Sequence, residues 1–398
     1  MEKRFDFTVA GHICLDIIPE IPATGAKSIS DIFKPGKLIE VNSVKLSTGG
    51  PVSNTGIALT KLGMKVAFMA RIGGDQFGEI VEGLLRQQDF ISGVHKSERE
   101  HTSYTVAIAP PGIDRIFFHH PGANDHFDRH DLDVNIIGQS RIFHLGYPPI
   151  MAKCYQNEGD ELVEIFAIAK KAGTVISLDM SLPDPDSESG RAPWRKILKR
   201  VLPCVDIFIP SIEEIFFMLD PDSYFQLKRQ TDNGGDIIDE IPPEIYRRFA
   251  EKCLDFGAKM VLFKAAHRGN YLRTRSVDLE KRLAVKLSSW QNRELWCPGF
   301  SIDKIASATG AGDSFIAGFL AAFLKGVKAE KALNIANCVG FQNLHELDAI
   351  SGVRSWDETL ALLNSGKLEK NLLPLREHGW QWKDDFGLWI GEMDGTKS

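Results

Sequence analysis

Short apolar runs alternate along the chain with segments whose apolar residues recur at helical spacing. Residues 5–18 (FDFTVAGHICLDII), 65–73, 140–147, 174–181, 205–211 and 258–265 read as buried strands. Residues 75–88 (DQFGEIVEGLLRQQ) and 161–173 carry the helical period between them. Strands alternating with helices of this length predict an α/β fold, a doubly wound and mostly parallel sheet flanked by helices. Sheets of this kind hold ligands beyond the C-terminal ends of their strands.

Three stretches break the rhythm. Residues 19–45 and 100–120 hold β-like runs with no helix between them, and predict a small antiparallel β lid. Residues 220–243 are polar and punctuated by Gly and Pro, and read as a surface insertion. The tail 370–398 carries Trp380, Trp382 and Trp389, and is expected to dock on the main domain, residues 1–369.

Residues 307–324 (SATGAGDSFIAGFLAAFL) concentrate the chemistry. Glycines in the 308–312 loop permit turns that aim backbone N–H groups into one concavity, a nest for an anion. The apolar run after it predicts a buried helix, whose N-terminus adds a positive partial charge. Asp313 lies at that junction. It is either a helix cap or a general base beside a bound phosphate. Asp16 by itself reads as a strand-end turn residue, Asn54 as a polar residue opening a helix, and Asp75 as the cap of the 75–88 helix. His119 and His120 alternate on a strand, so at most one faces a ligand, and neither has a partner at metal-ligand spacing.

Composition narrows the classes. A net charge of −6 argues against a phosphate-tracking surface, so no nucleic acid partner is expected. The six cysteines form no Cys-x-x-Cys pair and read as reduced, buried thiols. The absence of a long apolar run predicts no membrane span, and the N-terminus lacks a signal-peptide pattern, so the expected location is cytoplasmic. Neither a Walker-type loop nor a Gly-x-Gly-x-x-Gly after the first strand occurs.

ATGAGDSFIAGFLAAF (308–323) resembles the C-terminal signature of the ribokinase-like (PfkB) carbohydrate kinases. STGGPVSNTGIALTKLG (47–63) resembles their N-terminal signature, and the resemblance extends over about residues 5–350. It implies transfer of the ATP γ-phosphate to a hydroxyl of a sugar or sugar acid, assisted by Mg²⁺. It implies Asp313 as base and Gly310, Ala311 and Gly312 as anion hole. Substrate would meet Asp16, Gly49, Gly50, Asn54 and the ligand-facing turn at Asn124. Glu214 is the implied residue near the metal, and Ser211, Lys264, Gly269 and Asn337 the implied nucleotide side. A homodimer through the lid is a further expectation. A nucleoside kinase of the same fold, or a ligand-binding protein that has lost catalysis, are the alternatives.

The chain departs from the family pattern at several positions. Ser307-Ala308 stand where relatives carry Asp-Thr, and a neutral serine binds a monovalent cation poorly, so no potassium requirement is expected. Ser211 stands for an asparagine, with Glu213 as a fallback carboxylate beside Glu214. KAAHRG (264–269) keeps only Gly269 of a Thr-x-Gly-x-x-Gly motif. Its Lys264 either neutralises ATP phosphates or faces solvent.

Overall fold

Alternate residues of each central strand enter opposite cores, and this decides the layers. Val9, Ile142, Val175, Ile207 and Leu262 pack on one side of the sheet, and Ala10, Phe143, Ile176, Phe208 and Phe263 on the other. Strands buried on both faces read as continuous apolar runs, as the sequence does here. The computed structural model describes every residue except 1–2, 24, 26–27, 89–90, 112, 114, 232–234 and 396–398.

The strands are β1 (Phe5–Gly11), β2 (Cys14–Pro19), β3 (Val44–Gly49), β4 (Val66–Gly73), β5 (Gly93–Ser97), β6 (Tyr104–Ile108), β7 (Ile116–His120) and β8 (Ser140–Gly146). There follow β9 (Val175–Leu178), β10 (Ile207–Phe208), β11 (Met260–Lys264), β12 (Asn270–Thr274), β13 (Glu294–Cys297), β14 (Gln381–Lys383) and β15 (Leu388–Ile390). An 11-stranded sheet has the order β14-β15-β13-β12-β11-β10-β9-β8-β1-β4-β5. Pairing is parallel from β11 to β5 and antiparallel from β11 to β14. A second, 4-stranded sheet, β3-β2-β6-β7, stands apart as the lid.

The structure revises three expectations. Residues 5–18 do not form one strand: β1 belongs to the large sheet and β2 to the lid, with the crossing at His12 and Ile13. The lid therefore begins at Cys14, and its second strand starts only at Val44, after the short Ile29–Ile32 helix. The 220–243 segment is not a loose surface insertion. It forms the Pro221–Thr231 and Ile237–Glu240 helices, and buries Tyr224, Ile237, Ile238 and Ile241. The tail docks on the chain itself, where β15 pairs with β13 and extends the large sheet.

The Ala311–Leu324 helix lies under the sheet's C-terminal edge and is buried nearly all round. Trp290 braces it, edge-on to Phe319 at 5.7 Å and to Phe323 at 4.9 Å, with its indole N–H donating to Val327 O at 3.3 Å. Replacing Trp290 by Ala should cost about 3–5 kcal/mol, because it empties a site closed on every side. Urea unfolding checks this, and a loss below about 1 kcal/mol would show that the helix does not depend on the indole.

Candidate active site

Asp313 is not the helix cap. Gly310 holds that position with φ 72°, and Asp313 is the third residue of the helix, 2% exposed. Its carboxylate turns away from the helix N–H groups. Oδ2 accepts from Asn54 Nδ2 at 2.9 Å and from Tyr147 Oη at 3.0 Å, and Oδ1 accepts a longer bond from Thr55 Oγ1 at 3.4 Å. Burial raises its pKa, and the donors and the Lys264 charge pull it back only in part. Tyr147 itself sits in the left-handed region, φ 62°, directly after β8. A bulky residue adopts that backbone only when its surroundings demand it.

Across the cleft, one row of the lid runs Ser47, Asp16, Thr105, His119 in register. Asp16 faces inward, and burial raises its pKa to about 6 despite the Cys14 thiol that donates to it at 3.3 Å. Gly49 makes this possible: a Cβ there would lie 2.4 Å from Asp16 Oδ2. Gly50 opens the Pro51–Lys61 helix, which carries Asn54 and Thr55. Asn54 Oδ1 is buried without a partner.

Asn124 does not face this cleft as expected. It is fully buried, and its amide clamps the Ile13 peptide, accepting from the Ile13 N–H at 3.2 Å and donating to Ile13 O at 2.8 Å. Its work is to satisfy the backbone where the chain crosses from β1 to the lid. His119 lies on the Asp16 face and His120 on the other, against Tyr104.

The phosphate side is built at the ends of β9, β10 and β11. Gly310 has two reasons to be glycine: its φ, and Ala349 O, which a Cβ would meet at 2.2 Å. Ala311 N–H turns back to Ala308 O at 3.3 Å. The N–H groups of Gly312 and Asp313 lie in the first helical turn, where the helix itself supplies no acceptor. Lys264 does not face solvent. Its ammonium pairs with Asp179, whose side chain is fully buried, and its stem passes 3.7 Å from the Cβ position of Gly312. Burial lowers the pKa of Lys264, but the carboxylates of Asp179, Glu214 and Asp313 outweigh it and hold the group charged. Asp179 Oδ2 has no hydrogen-bond partner. Ser211 caps the Ile212–Leu219 helix and exchanges backbone-to-side-chain bonds with Glu214, which lies against the same space. Glu213 points elsewhere and accepts from Tyr224 Oη at 2.7 Å.

Two residues expected at the nucleotide are taken up in packing. Asn337 donates to Pro298 O at 2.8 Å and to Cys297 O at 3.2 Å, and accepts from Asn270 Nδ2 at 2.9 Å. Gly269 packs tightly on the backbone of Cys297–Gly299. The neighbouring Arg268 donates to the carbonyls of Ile238 and Ile241, each at 2.7 Å, so the departed motif grips the 220–243 segment.

The lid is held to the anion loop from two sides. Arg115 Nη1 donates to Ser307 Oγ at 2.8 Å, and Lys45 pairs with Asp348 beside Ala349. Sequence reasoning missed Tyr147, His12, Asp179 and Arg115. Tyr147 and Asp179 directly follow the observed strands β8 and β9, the position where α/β sheets place ligand groups, but the predicted strands 140–147 and 174–181 run past those ends and absorb both residues.

A family model described as pfkB family carbohydrate kinase matches residues 13–356. A probable fructokinase-7 of Arabidopsis thaliana is 26% identical over 366 residues, covering 89% of this chain and 91% of that protein. Among solved structures, a fructokinase with bound ATP from Xylella fastidiosa superposes with a TM-score of 0.67 at 16% identity, over 90% of this chain and 98% of that one. An Arabidopsis thaliana ribokinase complexed with ribose and ATP gives 0.65 at 20% identity, over 92% and 99%.

The geometry around Asp16 makes a titration testable. Carboxyl ¹³C NMR should place its midpoint near 6, and Cys14→Ala should move it higher by removing the thiol donor. Because the folded state resists ionisation, this group costs stability as pH rises from about 4 through 6. Asp16→Asn should remove that slope, and a midpoint near 4 would contradict the buried environment.

Proposed function

The chain belongs to the pfkB family of carbohydrate kinases, phosphotransferases with an alcohol acceptor, and on that premise we propose that Asp313 is its general base, acting on a hydroxyl of a sugar or sugar acid. The observation that carries this reading is the triple hold on the Asp313 carboxylate by Asn54, Thr55 and Tyr147. A helix cap needs none of those donors. The two good hydrogen bonds fall on Oδ2, which leaves Oδ1, with only the long Thr55 bond, to take the proton of the acceptor hydroxyl. Burial raises the affinity of the carboxylate for that proton, as a base requires.

The acceptor sits between Asp16 on the lid and Asp313 on the body. Asn54, which donates to Asp313 and keeps its carbonyl oxygen unpartnered, faces both the base and the sugar. The γ-phosphate of ATP lies on the Gly312 and Asp313 N–H groups, at the positive end of a 14-residue helix. Lys264 neutralises it as a point charge, moving from Asp179 towards the phosphate oxygens.

Mg²⁺ fits the oxygen donors here. Glu214 and the unpartnered Asp179 Oδ2 are hard ligands, and Mg²⁺ commonly binds through one or two carboxylates together with substrate phosphates. Among the described residues no group of three His, Cys, Asp or Glu could hold a metal unaided, so phosphate completes the shell. When bound, the ion supplies charge neutralisation on the phosphate oxygens.

Ser307 carries a guanidinium already, through Arg115, at the point where relatives place a carboxylate. This supports a rate independent of potassium. The lid also suits a second copy of the chain. Its outer face aligns Leu46, Ile17, Val106 and Phe118 across the sheet, with Leu46 39% and Phe118 56% exposed. Sedimentation should therefore show a dimer that Phe118→Asp dissociates.

The decisive assay is sugar-dependent ADP release over a panel of sugars, sugar acids and nucleosides. Asp313→Asn should lower kcat by about 10²–10⁴ with ATP binding intact. Turnover that survives this change, or no turnover with any acceptor, would overturn the reading. Lys264→Met should raise the KM for ATP roughly tenfold and leave that for sugar unchanged. Exchanging sodium for potassium should leave the rate unchanged, and a several-fold rise would refute the role given to Arg115.

A further inference from the structure

His12 is the unexplained buried polar group beside the site. It lies at the crossing between β1 and the lid, 2% exposed, with neither ring nitrogen in a hydrogen bond. An unmet buried polar atom is costly, and here there are two on one ring. Its neighbours locate it. The ring of His119, on the inner face of the lid, is 5.3 Å away, and that of Tyr147, which holds Asp313, is 6.3 Å away. Its Nδ1 stands 2.5 Å from the Cβ position of Gly50, in the loop that leads to Asn54. Lid, glycine loop and base support therefore all meet at this ring.

The groups around it are already engaged. His119 Nδ1 pairs with Thr105 Oγ1 at 3.0 Å, Cys14 donates to Asp16, and Tyr147 donates to Asp313. Unfilled capacity in the wall falls on His12 and on Asn54 Oδ1. From this juxtaposition we infer that His12 is a specificity-determining residue that recognises a ring hydroxyl of the acceptor sugar. The inference rests on the kinase reading above. Neutral imidazole offers one donor and one acceptor, which matches the two hydrogen-bonding senses of a hydroxyl. Burial and the neighbouring His119 hold His12 neutral, well below the usual histidine range.

The test uses D-fructose, D-ribose and D-glucose with their monodeoxy derivatives. His12→Phe keeps a flat ring and removes both nitrogens, and should raise the KM for sugar roughly tenfold with that for ATP unchanged. His12→Gln, which restores a donor and an acceptor, should recover part of the loss. The wild type should discriminate against one monodeoxy derivative in particular, and His12→Phe should lose that discrimination and keep the others. A purely structural histidine would instead weaken all derivatives alike and lower the melting temperature in both variants. That result, or an unchanged KM for sugar, overturns the inference while leaving the role of Asp313 intact. If the wild type phosphorylates none of these three but another acceptor of the wider panel, the monodeoxy derivatives of that acceptor serve instead, and if it phosphorylates none at all the kinase reading fails first and this one with it.

Discussion

A carboxylate buried to 2% exposure is the constraint on which the rest of the structure turns. Removing an ionised group from water is costly unless donors replace the lost hydration. Asp313 finds them on two other parts of the chain: Asn54 and Thr55 on the Pro51–Lys61 helix, and Tyr147 after β8. Those donors are 259, 258 and 166 residues away in sequence. The carboxylate is therefore satisfied only when the first and last thirds of the chain are folded against each other. This is also why the two glycine-rich signatures lie so far apart and still act as one site.

The same economy governs the lid. The chain must leave the large sheet after β1 to supply Asp16, and this strands the Ile13 peptide between two sheets. Asn124 fills both of its hydrogen bonds. A residue that looked like a ligand contact is thus what lets the chain cross to the lid strand that carries Asp16. Lys45 and Arg115 then tie the lid to Asp348 and Ser307, on either side of the loop that carries Gly310. Burial of Asp348 alone would raise its pKa, yet Lys45, Ser351 and two backbone N–H groups hold it down at about 2. The contact is thus an ion pair at any ordinary pH.

Much of this was legible in the sequence, and the limits have physical causes. The parallel strands were readable because burial on both faces makes them continuous apolar runs. The break at His12 was not, because the run 5–18 stays apolar while changing sheets. Asn54 and Asp313, from the two motifs, meet in a hydrogen bond, and Asp16 lies against Gly49. The amides of Asn337 and Asn124 bond to backbone, which was not legible, since an asparagine that clamps a backbone and one that meets a ligand look alike in one dimension. Tyr147 escaped notice because its role depends on a left-handed backbone that no propensity favours.

The departures from the family pattern share one explanation. Lys264 and Ser307 stand at motif positions, His267 and Arg268 at the variable positions beside Lys264, and each meets another part of the chain. Arg268 holds the carbonyls of the Ile238–Ile241 segment, and His267 pairs with Asp239 of the same segment. Ser307 receives the lid through Arg115, and Lys264 neutralises Asp179. Loss of function would leave such positions random with respect to packing. Here the 264–269 stretch anchors the 220–243 segment and Ser307 anchors the lid, while Asp313 keeps its three donors. Contacts between elements therefore gather at the stretches that depart from the family pattern, while the hold on the Asp313 carboxylate is complete.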